Sequence, residues 1–433
     1  MAVFQAAPGT RDILNPESAR WRALIDVFAT LAASAGFGEI RTPLFEDLGV
    51  FLRLGESSDV VTKQMYDFQD KGGRRVTLRP EFTAGMIRAF VQHNPALPWK
   101  AWAEGSVFRY EKPQKGRYRQ FNQVDVEVLG TADPMIDVEV IALGWRFYQA
   151  IGLTNVRLVI NSLGDVECRP TYLAALTEYF AQRIDQLSDE GRATLALNPL
   201  RVLDSKREQD VAVVVNAPTM IDSLSPNAAA HFDAVQAGLT ALGIPFEIDT
   251  RLVRGLDYYR YTLFEFVADS LDSAQNAIGG GGRYDGLVAE LGGDDVPGIG
   301  FGLGVDRILM ACDAEGVFAA PAAVADVFVV DTTGGLEALR LCAELRAAGV
   351  RAERAYDNRS MKSQMKAADR SGARVALLVG SNELADGVVT LRPLRGHDVI
   401  GERGASDVAS QTASVQRAIA RDNILNEVEK FLQ

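Results

Sequence analysis

Apolar and polar positions alternate sharply enough in three stretches of the chain to predict elements. Trp21, Leu24, Ile25, Phe28 and Leu31 recur at helical spacing, and Gly36 offers a stop. Asn15-Pro16-Glu17 just before them reads as an N-cap, a proline at the first helical position and an acid in the first turn. Residues 121–129 alternate with period two, placing Gln123, Asp125 and Glu127 on one strand face and Val124, Val126 and Val128 on the other. With Val107, Phe108 and Tyr110 as a β-prone first arm, residues 104–129 predict a hairpin. The valine face needs a core. The opposite face holds two carboxylates and an amide, which cannot all be buried without partners. Further on, Thr262, Phe264 and Phe266 alternate with Leu263, Glu265 and Val267 as a third strand pattern.

Between these anchors, FGEIRTPLFED reads as a short strand ended by its proline, 135–150 as a helix and 156–160 as a strand. Residues from about 168 to 227 are rich in polar helix formers, broken at Asn198-Pro199 and Ala217-Pro218, and predict an inserted helical module. Residues 317–325 are small, apolar and proline-containing, as in a linker. Beyond them the rhythm changes to strands at 326–330, 350–354, 374–379 and 388–393, with helices at 336–348, 361–369 and about 407–431. That pattern predicts a small α/β domain with a largely parallel sheet. The domain expectation is therefore 1–320, carrying the insertion, and 326–433.

Length alone suggests about three domains, with one or two large ones allowed. A chain of 433 residues with 47% hydrophobic and 24% charged residues has an ordinary globular composition. Cys168, Cys312 and Cys342 stand far apart, without metal-ligand or disulfide spacing, so a reducing cytosol is the default compartment. His93, His231 and His397 are isolated, which fits structural or exposed roles and argues against a histidine-rich metal site. The opening MAVFQAAPGTRDIL has no apolar signal core. No apolar run approaches the roughly 20 residues that span a bilayer. A net charge of −12 disfavours nonspecific coating of nucleic acid, so any such contact needs a local basic patch.

One such patch exists. Arg109, Lys112, Lys115, Arg117 and Arg119 face only Glu111, a net +4 against the trend of the chain. It is either a solvated hairpin tip or a surface for a polyanion. In VTLRPEFTA, Glu81 and Thr83 follow Pro80, where Glu81 could cap a helix starting at Thr83 or meet a ligand. RLVRGLDYYRYTLFEFV sets Arg254 at a glycine ahead of the third strand, and Gly255 would permit a sharp backbone path. Tyr258 and Tyr259 would point to opposite faces if extended, so at most one easily lines a given pocket. GGGGRYDG (279–286) lacks phosphate-loop and dinucleotide spacing and reads as a tight turn or as a close backbone approach to a ligand. GIGFGLGVDR leads from glycines into a helix at about 308, with Arg307 at the junction, a position that suits a terminal phosphate. Lys362, Lys366 and Arg370 share one helical face, solvated or for an anion.

FRYE, the basic loop and RYRQFNQ resemble motif 2 of the class II aminoacyl-tRNA synthetases. The wordings QKGRYRQF, NPLRVLDSK and RGLDYY are similar to the histidyl family of that class. FGEIRTPLFED resembles motif 1, and GIGFGLGVDR resembles motif 3. The resemblance covers nearly the whole chain. It implies an α+β catalytic domain built on an antiparallel sheet, with a helical insertion near the tRNA acceptor arm, followed by an α/β anticodon-binding domain. It also implies a homodimer, cytoplasmic and free of membrane, that uses L-histidine, ATP with Mg²⁺, and the histidine tRNA.

Residue by residue, the resemblance implies Arg254 and Arg109 as the catalytic pair. For histidine binding it implies Glu81, Thr83, Gln123, Glu127, Tyr258 and Tyr259 together with those arginines. For ATP it implies Arg109, Glu111 and Arg307, and for tRNA Lys112, Gln114, Lys115, Arg117 and Arg119. It supplies no metal ligands. Phe82 and Asn122 stand where many bacterial members have glycine and histidine. Rival readings are a catalytically silent regulatory relative of ATP phosphoribosyltransferase, which ordinarily lacks the C-terminal domain and the full arginine set, and a sibling synthetase, which should lack RGLDYY. A nucleotide-dependent oxidoreductase is disfavoured by the missing glycine fingerprint.

Overall fold

The computed structural model describes residues 4–53, 60–255, 258–272, 276–321, 325–394 and 416–432. His397, residues 407–415 of the expected last helix, 322–324 of the expected linker, and Leu256-Asp257 of RGLDYY lie outside them. The chain divides into two units, Met1–Ala320 and Pro321–Gln433.

In chain order the strands of the first unit are β1 (Gly38–Glu39), β2 (Phe45–Asp47), β3 (Tyr66–Gln69), β4 (Arg75–Leu78), β5 (Trp99–Phe108), β6 (Gln120–Leu129), β7 (Val156–Ser162), β8 (Glu247–Ile248), β9 (Arg260–Ala268), β10 (Ala277–Arg283) and β11 (Gly298–Gly304). Eight of them form one sheet in the order β1-β5-β6-β11-β10-β9-β7-β8, while β2, β4 and β3 make a small separate sheet. All pairs of the large sheet are antiparallel except the edge pairs β1–β5 and β7–β8.

Pairing fixes which side chains share a face. Val124, Val126 and Val128 of β6 lie beside Leu303, Phe301 and Ile299 of β11. Phe264 and Phe266 of β9 lie beside Ile160 and Leu158 of β7. These residues form one core with helices Glu17–Ser34, Pro134–Ala150 and Pro226–Ala241, as the valine pattern requires. Helix Glu17–Ser34 buries Trp21, Leu24 and Phe28. Pro16 occupies its cap position without a side-chain bond, so Asn15 is not the cap expected from the sequence.

Behind the sheet, Asp137 is fully buried at the junction of four elements. It bonds Arg283 of β10, the Thr262 hydroxyl of β9 (2.6 Å) and His231 Nε2 (2.8 Å). Its carboxyl lies below the usual range, because bonding and charge from His231 and Arg283 outweigh the burial that raises it. His231 is thus a structural histidine, as its isolation suggested; His93 ends helix Thr83–His93 and is exposed.

The stretch expected as an inserted module is helical, with segments such as Arg169–Ala181, Asp189–Leu197 and Glu208–Val214 around their own core of Tyr172, Leu176, Phe180 and Val213. The glycine run expected as a possible turn is instead β10, a central strand. A Cβ at Gly281 would fall 2.0 Å from the Gly300 carbonyl oxygen, so the two strands are too close for side chains there. With no side chains to alternate, the run carried no strand signal.

In the second unit, β12 (Val327–Asp331), β13 (Ala352–Arg354), β14 (Val375–Val379), β15 (Val388–Pro393) and β16 (Arg417–Ala420) order as β13-β12-β14-β15-β16. The sheet is mixed rather than largely parallel: β14–β15 and β15–β16 are antiparallel. Only residues 380–387, with the short helix Ser381–Ala385, separate β14 from β15, too few for a parallel crossover. The expected long last helix is replaced, among the described residues, by β16 and a helix over Ile424–Leu432. Edge pairing with β15 claims the first part of that segment. Lys362, Lys366 and Arg370 are all exposed on helix Met361–Ser371.

Removing Arg283 would leave Asp137 buried with its main cation gone. Arg283→Ala should destabilise the first unit by roughly 3–5 kcal/mol, read as a lower urea midpoint; an unchanged midpoint would show the network contributes nothing.

Candidate active site

The sheet face opposite the core has an almost bare centre. Gln123, Asp125 and Glu127 of β6 pair with Gly304, Gly302 and Gly300 of β11, and the last two pair with Gly280 and Gly282 of β10. Glu265 and Leu263 of β9 follow. The centre is bare because the acids lie across it. A Cβ at Gly300 would fall 1.8 Å from Glu127 Oε2, a distance no atom pair tolerates. A trough results, walled by β6 on one side and by the segment before β9 on the other.

One end of the trough is acidic and aromatic. Glu81 caps helix Thr83–His93, accepting the backbone N–H groups of Thr83 (2.7 Å) and Ala84 (2.8 Å). The capping alternative read from the sequence is therefore realised, and each oxygen keeps a lone pair for a ligand. Thr83 Oγ1 donates to Glu127 (2.5 Å), as does the Tyr284 hydroxyl. Burial pushes the Glu127 carboxyl up to about 8; the two hydroxyl donors oppose the shift and Glu81 adds to it. Burial likewise raises Glu81. Tyr258 and Tyr259 do not separate to opposite faces. They precede β9, their ring centroids lie 4.7 Å apart, and the Tyr284 ring stands 5.8 Å from Tyr258. Gly255 does not adopt a left-handed conformation.

The other end is cationic. Arg109, Arg117, Arg254 and Arg307 line one cavity with Glu111 and Gln123. Arg109 Nε donates to the Pro80 carbonyl (2.9 Å), its guanidinium 5.4 Å from the centre of the Phe121 ring. Arg254 pairs with Glu265. Arg307, in the first turn of helix Val305–Glu315, donates to the carbonyls of Gly116 (3.0 Å) and Ala277 (2.9 Å). Burial, then repulsion from the neighbouring arginines, lowers the pKa of Arg307. Burial also lowers that of Arg109, with Arg254 adding to it. Burial works against Arg254 too, but Glu265 outweighs it. Several guanidinium groups held this close favour an anion with several oxygens.

The hairpin tip divides between two surroundings. Lys112, Gln114 and Lys115 are exposed. Arg117 turns into the cavity and pairs with Glu111 (2.9 Å), and Arg119 lies over the Tyr110 ring (4.1 Å). The five residues that the resemblance assigns to one partner thus do not share one surface.

Sequence reading missed Tyr284 and Glu265 as parts of the site, although both stand in stretches it singled out. Tyr284 sits two residues past the bare glycines, and Glu265 alternates onto the site face of β9. Phe82 is buried under Arg79, whose guanidinium is 4.0 Å from its ring centre. Asn122 accepts from the Ser106 hydroxyl (2.8 Å).

Residues 9–308 match the family model for histidyl-tRNA synthetase, and residues 326–429 match the anticodon-binding domain. The chain is similar to the histidine–tRNA ligase of Rhodococcus erythropolis, 50% identical over 400 residues, covering 91% of this chain and 94% of the relative. That of Lactiplantibacillus plantarum is 48% identical over 401 residues, covering 90% and 94%. The crystal structure of apo S. aureus histidyl-tRNA synthetase superposes with a TM-score of 0.80 at 34% identity, covering all of both chains.

A carboxyl raised to about 8 in the folded state binds a proton there that the unfolded chain has released above its usual range near 4.5. Stability from this group is therefore present at low pH and is lost as pH rises from about 4.5 through 8. Glu127→Gln should flatten that decline in urea midpoints measured without ligands; identical slopes in the two proteins would contradict the shift.

Proposed function

The chain belongs to the histidyl-tRNA synthetase family, and from that membership we propose which of its residues carry each part of the reaction. The reaction is the family's: histidine is activated with ATP to histidyl-adenylate and joined to the 3′ end of its tRNA. The regulatory-relative reading falls, since ligases match about nine-tenths of the chain and the anticodon-binding domain is present.

The observation that carries the residue assignment is the segregation of charge along one bare sheet face, acids and phenols at one end and guanidinium groups at the other. Glu127 accepts a histidine ring N–H, with Tyr258 and Tyr259 framing the ring and Tyr284 holding Glu127 in place. Glu81, Thr83 and Gln123 take the α-ammonium. Arg109 and Arg254 flank the amino-acid carboxylate and the α-phosphate, while Glu111 and Arg307 serve the rest of ATP. A carboxylate oxygen attacks the α-phosphorus and pyrophosphate leaves; the arginines stabilise the negative charge that builds there. In the second step the terminal ribose hydroxyl of tRNA attacks the acyl carbon and AMP leaves. Magnesium enters with the ATP phosphates as part of that substrate.

The exposed part of the tip, Lys112, Gln114 and Lys115, meets the tRNA. Arg117 works on the ATP side, and Arg119 supports the loop through Tyr110. The exposed cations of helix Met361–Ser371 are offered to the same tRNA. Leu44, Phe45 and Phe68, apolar yet about half exposed around the small sheet, support a homodimer contact, which sedimentation velocity measures directly. The cytoplasm is the proposed location: the three cysteines are free, and no helix of the described residues is long and apolar enough to cross a membrane.

Arg254→Ala should cut histidine-dependent ATP–pyrophosphate exchange by about 10²–10³-fold without unfolding the protein; near-normal exchange would refute the assignment. Replacing Lys112 and Lys115 together by alanine should keep exchange. It should make the salt dependence of tRNA binding shallower by roughly one to two logarithmic units of slope. An unchanged slope with lost exchange would move those lysines to the small-substrate side.

A further inference from the structure

Asp125 is a charged side chain that the reaction as described does not use. It stands between Gln123 and Glu127 on the site face of β6 and is 3% exposed. Its Oδ2 has no hydrogen-bond partner among the described residues, and neither has Gln123 Oε1. A buried carboxylate left this way is costly unless a ligand completes it. No ion pair involves it among the described residues, although two arginines are close enough to act on it. Each is anchored on other partners through part of its guanidinium, and neither bonds Asp125. Arg79 bonds the carbonyls of Ser106 (2.9 Å) and Thr42 (2.9 Å) and lies over Phe82, and Arg109 bonds Pro80. The strand beside Asp125 carries no side chain across it. A Cβ on Gly302 would fall 2.7 Å from Asp125 Oδ1 and 3.0 Å from Gln123 Nε2, and Gly302 and Gln123 both line the cavity.

We propose that Asp125 is a further substrate-binding residue, whose carboxylate, together with the Gln123 side-chain oxygen, accepts N–H donors from the α-ammonium group of the amino acid. Both orphan atoms are acceptors, and an ammonium carries three donors and no acceptor. The groups facing Asp125 have the matching balance. Glu81 from the start of helix Thr83–His93 and Glu127 from β6 are acids, opposed by Arg109 at the end of β5 and Arg79 after β4. Burial first, then repulsion from Glu127 and Glu81, holds Asp125 well above the usual carboxylate range. An arriving ammonium favours its ionised form, so amino-group binding releases protons.

The inference rests on this face being the histidine subsite, and ligands that differ only in the amino group separate the two ideas. Histidinol keeps the amino group and lacks the carboxylate; imidazolepropionate keeps the carboxylate and lacks the amino group. In Asp125→Asn, the histidine KM and the inhibition constant of histidinol should rise at least tenfold. The imidazolepropionate constant and the ATP KM should stay within twofold. Unchanged constants, or an equal loss for all three imidazole ligands, would overturn the role of Asp125. Failure of both analogues to compete with histidine in the unaltered enzyme would overturn the subsite reading instead, and this inference with it. If Asp125→Asn does not fold, calorimetry of the unaltered enzyme in buffers of different ionisation enthalpy decides. Release of more protons with histidinol than with imidazolepropionate, a difference kept in Glu81→Gln, supports the role, and the same proton count for both overturns it.

Discussion

Glu127 resting on the backbone of Gly300 is the contact on which the rest of the site depends. A carboxylate pressed against a strand can be reached only from above and from the sides. Thr83, at the start of a helix, and Tyr284, just past β10, reach it there. Three segments distant in sequence therefore converge on one side chain, and they can do so only if β6, β11 and β10 are neighbours in that order. The bare glycines on the site face and the dense valine–phenylalanine packing behind them are two consequences of the same pairing. The sheet takes its stability from the core face and leaves the other free of bulk.

Charge placement on the bare face works against the empty protein. Acids are buried beside acids at one end, and guanidinium groups beside guanidinium groups at the other. Arg109 and Arg307 are anchored mainly on backbone carbonyls, which orient them without neutralising them. A guanidinium has five N–H donors, and these bonds use one from Arg109 and two from Arg307, leaving the remainder for anionic oxygens. Arg254, by contrast, is already paired with Glu265, and that pairing holds its charge against burial. A ligand with ammonium and imidazole N–H groups at one end and phosphates at the other relieves both strains at once. Preorganised donors of this kind cost no rearrangement when charge develops on a phosphorus.

How far the sequence disclosed this arrangement depended on which residues have side chains to read. The β6 alternation gave its faces correctly because valines and acids differ at every step. The same reasoning had nothing to hold in Gly279–Gly282, where β10 carries no side chains, and so a central strand was open to reading as a turn. Tyr258 and Tyr259 were assigned opposite faces on the premise of extended backbone, but β9 begins only at Arg260. The mixed sheet of the second unit was legible in principle. Too few residues separate Val379 from Val388 for a crossover. The parts the tip plays could not be read from charge, since Arg117 and Lys115 differ in direction, not in sign.

That difference in direction follows from one turn. Gln114 and Arg117 pair across Lys115 and Gly116, and Gly116 takes a left-handed φ of +71° that any other residue would adopt with strain. Its carbonyl accepts the N–H of Arg307, and a Cβ there would lie 2.8 Å from the sulfur of Met310, so the turn is seated against the helix that carries Arg307. With the turn fixed, Arg117 must return on the cavity side while Lys112 and Lys115 remain in solvent. A loop of a few residues can then present cations on two sides, one toward a small polyanion in the cavity and one toward a large polyanion outside, without either set screening the other. A longer or glycine-free turn would lose its seat on Arg307, and the two sets would merge into the single undirected patch that net charge alone describes.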